Sequence, residues 1–248
     1  MNSTEDILLL AEHLVEGIND PYIYKAVFLA GGPGSGKSFV GKHMFDGLGV
    51  KFSNSDDVMR FLAGQKTGWD KDKLADFLDM RVMDPEKTDV RETAKVLAKV
   101  QQASWMNGML GLVIDGTAHV FGNVKSSKDR LESLGYDTSM VFVNTSLDVA
   151  KQRNEARTRK VPMSIVERSW KEVQSNLPKF KSLFGSDFIE IVNDKPLDGS
   201  DLEAFSTSVR RAGMKMLGRP LSNPIGQKII SALRETRGKT LSDLSVTP

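Results

Sequence analysis

Cysteine is absent from this chain, which removes every disulfide and every thiolate metal site and makes a reducing, cytoplasmic location the expectation. Long apolar runs are missing too. The longest, residues 26–30 and 110–114, fall far short of the roughly 18 residues that would cross a bilayer, so no membrane association is expected. The opening residues carry acids where a signal peptide would carry basic residues, and no export is expected. There is no internal repeat and no low-complexity linker. Two nucleotide-related signatures are also lacking: an NKxD base-recognition sequence, which a GTPase would need, and an apolar strand closed by paired acids, which an ATP-driven motor would need.

What remains is an ordinary globular composition, 40% hydrophobic and 27% charged over 248 residues, enough for one large α/β domain. The net charge of +2 is unevenly spread: from Glu203 onward eight basic residues face three acids, leaving the preceding part about −3. That basic end suits a solvated amphipathic helix, and also a contact with a polyanion such as nucleic acid.

Strand and helix patterns alternate. An apolar lead-in helix is expected over residues 7–18, then a buried strand over 26–30, a glycine-rich turn over 31–38 and a helix over 39–45. A short strand follows over 50–53, and residues 58–83 read as mainly helical with a break at 64–68. Asp84 and Pro85 form a cap and first turn for a helix reaching about residue 107. Further strands are expected at 112–114, 139–144 and 188–192. The alternation predicts a doubly wound parallel sheet of five strands in the order 2-3-1-4-5, with right-handed crossovers. Residues 1–197 would form the catalytic domain. Residues 198–248 would add a helical basic extension, with a helix to about 217, a turn at Pro220 and Pro224, a helix over 225–235 and a mobile polar tail from 238.

The turn Gly31-Gly32-Pro33-Gly34-Ser35-Gly36-Lys37-Ser38 matches GxxxxGK[ST] between a buried strand and a helix, where such a loop wraps backbone N–H groups around the phosphates of ATP. Lys37 would neutralise the β and γ phosphates, and Ser38 would ligate Mg²⁺. Asp115, closing the third strand before Gly116 and Thr117, is a single carboxylate suited to the same Mg²⁺. Asp56 and Asp57, just past the second strand, stand on the ligand-binding edge of the sheet, where one can take a proton from an acceptor hydroxyl. Asp56 has equally the residue type that caps a helix. Arg153, Arg157, Arg159, Lys160 and Arg168, with Pro162 between them, read as a helix–turn–helix lid whose arginines stabilise the transferring phosphoryl and exclude water. Trp69, Phe77, Trp105 and Trp170 are read as packing residues.

With these residues the chain resembles, over residues 24–193, the zeta-toxin group of P-loop kinases, which lies near polynucleotide kinases and chloramphenicol phosphotransferases. The group joins a GxPGSGK[ST] loop to an Asp, a spacer, a bulky apolar residue and a basic residue; Asp57-Val58-Met59-Arg60 matches. The resemblance implies that Asp57 is the catalytic base and Arg60 a phosphate or substrate contact. It implies that Asp115 and Thr117 hold the acceptor, and that residues 153–162, with their Val-Pro, form the arginine lid, Arg153 contacting substrate. Asp115 stands where zeta toxins usually have glutamate, and His119 where they have an arginine, which places a weakly charged imidazole at the acceptor. The implied activity is ATP- and Mg²⁺-dependent phosphorylation of a small-molecule hydroxyl, a nucleotide sugar being the model acceptor, with an antitoxin-like protein as inhibitor. Two rivals stand beside it: a nucleic-acid kinase acting on a 5′-hydroxyl or a hydroxymethylated base, and a non-catalytic ATP-binding regulatory module.

Overall fold

A computed structural model describes residues 20–157, 160–195 and 198–236. The lead-in helix over 7–18, Arg159 and the tail from 238 therefore lie outside the described residues. Five strands, β1 (Lys25–Ala30), β2 (Lys51–Ser53), β3 (Leu112–Asp115), β4 (Asp137–Asn144) and β5 (Phe188–Val192), form one parallel sheet in the order β2-β3-β1-β4-β5, as the alternation predicts. β1 is buried along its whole length because it lies at the centre with helices on both faces.

Alternate residues of β1 supply two cores. Phe28 and Ala30 pack with Leu112, Met140 and Phe142 beneath α5 (Phe121–Ser133) and α7 (Met163–Phe184). Val27 and Leu29 pack with Val113, Val141 and Val143 beneath α1 (Lys37–Phe45) and α8 (Gly199–Leu217). A third cluster, Met59, Ala63, Leu78, Met80, Val90 and Ala94, joins α2 (Ser55–Thr67), α3 (Lys71–Leu78) and α4 (Pro85–Asn107) beside the sheet. α8 sits close on α1: a Cβ added to Gly213 would stand 2.5 Å from Met44 Cγ and 2.8 Å from Met44 O. Val209, Met216 and Leu217 are thereby buried in the second core, each stabilising the fold by roughly 1.5–3 kcal/mol. The stretch expected as an extension thus completes the core at its first helix, and α9 (Pro224–Thr236) adds Ile230 to the other face. Among the described residues no helix is long and apolar enough to cross a membrane.

Three local expectations shift. β4 begins at Asp137, two residues early, because Asp137 pairs with Lys25 across the sheet. α2 begins at Ser55 and passes through Gly64 to Thr67, so the break comes only at Gly68, whose φ of +61° ends the helix. Gly64 keeps its place in that helix because Trp69 covers it; a Cβ there would lie 2.5 Å from the indole ring. Asp56 lies inside the helix, and the cap is Asn54, whose side chain accepts from the Asp56 N–H at 2.8 Å.

Candidate active site

The loop from Gly31 to Ser38 follows β1 and enters α1 at the C-terminal edge of the sheet. Its path needs glycine. Gly34 and Gly36 hold φ of +80° and +85°; a Cβ on the first would come within 2.1 Å of Ala150 O, and on the second within 2.3 Å of Asn193 Nδ2. Asn193, buried just past β5, braces the loop by donating to Ser35 O at 2.9 Å.

Two features of the loop suit an anion. Gly36 caps α1 without any side-chain hydrogen bond, whereas α2, α3 and α4 have their first N–H groups taken by Asn54, Asp70 and Asp84. The N-terminal donors of α1 and its dipole thus face the loop's concavity. The Ser35 hydroxyl, moreover, is buried with no hydrogen-bond partner. These observations fit the phosphates of a nucleotide.

The acids converge through sheet register. Asp115 pairs with Leu29, two residues before the loop, and the Gly116 N–H donates to Leu29 O at 3.1 Å. Asn54 Nδ2 holds Asp115 Oδ2 at 2.9 Å, so the residue that caps α2 also orients the carboxylate closing β3. Burial pushes the Asp115 pKa up, Lys37 opposes that, and the charges of Asp56 and Asp57 add to it. Asp57 is also raised, by burial and then by Asp56, with Arg60 pulling the other way. A raised pKa makes a carboxylate a stronger base, which is what a proton acceptor needs.

The residues expected to form a lid fall on α6 (Leu147–Ala156) and α7 and on the connection between them, which carries Pro162. Buried Asn154 bridges that turn with its amide, donating to Val161 O at 2.9 Å and accepting from Val161 N–H at 3.2 Å. The Met80 N–H donates to Lys160 O at 2.9 Å, and Val161 packs on the third cluster. The turn is therefore fastened to the helices beyond the sheet. Trp170 packs, as expected, its indole N–H donating to Thr145 O at 2.8 Å.

One cavity of about 540 Å³ collects most of the candidates: Pro33, Lys37, Ser38, Asp56, Asp115, Thr117, His119, Arg157 and Arg168 line it. Thr117 and His119 are joined, Oγ1 to Nδ1, at 2.6 Å. Asp57, one helical step round from Asp56, and Arg60, one turn further along, sit outside this lining. Arg153 lies on the opposite flank of the loop, donating to Asn193 O at 2.6 Å and Lys195 O at 3.3 Å, 3.7 Å from where a Gly36 Cβ would be. Arg153 is thus outside the lining of this cavity. The sequence reading missed Asn54, Arg91, Ser169 and Glu172, which line the cavity, and Asn154 and Asn193, which brace it. Ser169 is buried with its hydroxyl unpartnered. Only Asn54 carried a local signal, as an Asn directly before a helix. Ser38, Asp115 and Asp56 can hold a Mg²⁺ together with phosphate oxygens and water; among the described residues no three His, Cys, Asp or Glu form a protein-only cage.

A family model described as an AAA domain matches residues 27–180. No curated protein matches the chain. Among solved structures, the native AvrRxo1-ORF1:-ORF2 complex is similar at 15% identity, covering 93% of this chain and 82% of that one, with a TM-score of 0.56. The AvrRxo1-ORF1:-ORF2 structure with ATP is similar at 13% identity, covering 92% and 88%, TM-score 0.55. A provisionally named kinase from Chloroflexus aurantiacus is similar at 16% identity, covering 76% and 98%, TM-score 0.50. The PezAT toxin–antitoxin system of Streptococcus pneumoniae is similar at 12% identity, covering 95% and 99%, TM-score 0.47.

Proposed function

Because this chain belongs to the AAA domain family of P-loop kinase-like proteins, we infer that it transfers the γ-phosphoryl group of ATP to a hydroxyl of a small molecule. The observation that carries this reading is the single cavity in which a phosphate cradle, Lys37, Arg157 and Arg168 meet the carboxylates of Asp56 and Asp115. A structural similarity to an ATP-bound protein supports the choice of nucleotide. Backbone N–H groups from Gly31 to Ser38 bind the phosphates, and Lys37 neutralises the β and γ oxygens. Ser38 and Asp115 would hold Mg²⁺, which when bound spreads the charge of those oxygens.

On the acceptor side Asp57, just beyond the cavity lining and with a raised pKa, is given the hydroxyl proton by the resemblance, and Asp56, at the cavity wall, orients the hydroxyl. Thr117 and His119 hold the acceptor's other polar groups, and Arg60, by the resemblance, contacts phosphate or substrate. Arg157 stabilises the transferring phosphoryl and keeps water away from it, a role that the sequence also gives to Arg159. Arg153 braces the nucleotide side.

A nucleic-acid acceptor is less well supported. Two of the basic residues that would serve it are already engaged, Arg210 with Asp46 O and Arg219 with the Asp187 carboxylate, and none of those described lines the cavity. A purely regulatory module is less well supported, since one cavity holds the carboxylates of Asp56 and Asp115 together with Lys37. A protein inhibitor belongs to this reading by resemblance, and AvrRxo1-ORF1 is solved together with AvrRxo1-ORF2. Incubation with γ-labelled ATP and a panel of hydroxylated metabolites, nucleotide sugars and oligonucleotides tests the assignment. Label should move to a small molecule; label only on oligonucleotides would favour the rival, and none on any compound would overturn kinase activity.

A further inference from the structure

Next to the transfer cavity lies a smaller hollow of about 250 Å³ that the reaction as described does not use. Its floor is sheet, Phe28, Ile114 and Met140, and its far wall is α5, which contributes Asn123, Val124 and Ser127. Gly116, Thr117 and His119 line both spaces, so the segment after β3 is a partition with the transfer cavity on one side and the hollow on the other. Gly116 leaves the partition thin, since a Cβ there would meet no atom within 4 Å.

The partition is rigid. Ala118 holds φ of +57°, a left-handed conformation that a residue with a side chain keeps only when its surroundings impose it. The Thr117–His119 bond spans it at 2.6 Å, and Asn176 on α7 donates to His119 O at 2.8 Å. The hollow is thus shaped before anything enters. It is mostly apolar, but the Ser127 hydroxyl makes no hydrogen bond among the described residues. An apolar cavity of roughly 150 Å³ already takes a benzene ring, so one ring with a substituent fits here.

We propose that this hollow is the acceptor's specificity pocket: the acceptor carries an aromatic ring that sits between α5 and the sheet, and its hydroxyl reaches past Gly116 to the acids of the transfer cavity. This rests on the kinase reading and narrows it to hydroxyl compounds with a ring. Ser127 would meet a polar ring substituent, giving orientation to an otherwise featureless contact.

The probe is benzyl alcohol, with ethanol as the ringless control. In protein carrying ¹³C-methyl methionine, benzyl alcohol should shift the Met140 methyl resonance saturably and ethanol should not. Transfer of label from γ-labelled ATP should favour benzyl alcohol over ethanol by about tenfold or more, the scale on which a hydrophobic pocket discriminates. Val124→Trp, which fills the hollow, should abolish the Met140 shift and that preference, with affinity for a nonhydrolysable ATP analogue unchanged as proof of folding. Val124→Phe should give an intermediate result. An unmoved Met140 resonance, or a Val124→Trp protein that binds the analogue and keeps the preference, would overturn the pocket; so would a Met140 shift with transfer only to ringless compounds. Failure of the kinase reading looks different: no label on any compound of the wider panel.

Discussion

The two edges of the sheet both bury charge, and they treat it in opposite ways. At the N-terminal edge Lys25 pairs with Asp137 at 2.7 Å, and Asp137 accepts three further bonds, from Ser222 N–H, Ser222 Oγ and Asn223 N–H. Burial alone would raise the Asp137 pKa, but the bonds from Lys25 and Ser222 and the Lys25 charge outweigh it and hold the carboxyl low. At the C-terminal edge three carboxylates crowd together, and Asp57 and Asp115 are both pushed up. The Ser35 and Ser169 hydroxyls, buried without partners, stand at this same edge. The first edge is satisfied and fastens the turn before α9 to β1. The second keeps two buried hydroxyls without partners beside like charges, which is the signature of a site arranged for a ligand.

The sharpest break of this comparison is at the two lysines. Lys37→Ala should lower phosphoryl transfer by about 10³-fold, the upper scale for losing a preorganised charge at a reacting oxygen, with the fold intact by circular dichroism. Lys25→Met should leave turnover of the folded fraction alone. Near-normal turnover in Lys37→Ala would remove the phosphate role from the loop.

Next comes the acidic pair. Asp57→Asn should keep ATP binding and lower turnover by about 10²-fold, with Asp56→Asn milder. Because Asp57 is raised, the acid limb of the pH–rate profile should lie above the ordinary carboxylate range and should vanish in Asp57→Asn. If Asp56→Asn is the more damaging change, the proton acceptor is the residue at the cavity wall.

The opposite edge should respond in stability. Lys25→Met should cost about 2 kcal/mol in chemical denaturation, as for a hydrogen bond to a charged group. Asp137 is held low in the fold, so its contribution is present above the unfolded carboxylate pKa and disappears as pH falls through the folded value; the deficit of Lys25→Met should shrink over that acid window. The smallest effect has the reverse sign. Asp115 is raised in the fold, so at neutral pH its ionised form destabilises the ligand-free protein, and the penalty fades as the group protonates in acid. Asp115→Asn should therefore raise Tm at pH 7 by a few degrees, about 1 kcal/mol in a chain of this size, while transfer falls, and should do nothing for Tm once Asp115 is protonated. A lower Tm at pH 7 would mean that the Asn54 bond outweighs the crowding.

The amino-acid order alone determined the phosphate loop, the parallel sheet and its strand order, because these rest on local rules: an apolar run, a glycine turn and a helix within about twenty residues, then alternation. It also brought Lys37, Ser38, Asp56, Asp115, Arg157 and Arg168 to one edge, since strand ends in such a sheet converge there. Arg91 was invisible because, among Asp89, Glu92 and Lys95, it looks like any solvated helix face; only the packing of α2 on α4 turns it to the cavity. Asn154 and Asn193 are single polar residues whose partners lie on other elements. Tertiary structure alone decided which of two adjacent acids faces the cavity, that Asn54 and not Asp56 caps α2, and that Arg153 bonds to the backbone after β5. Each of these depends on the direction in which a side chain leaves its backbone relative to a neighbour distant in the chain, and spacing along the sequence carries no record of that direction.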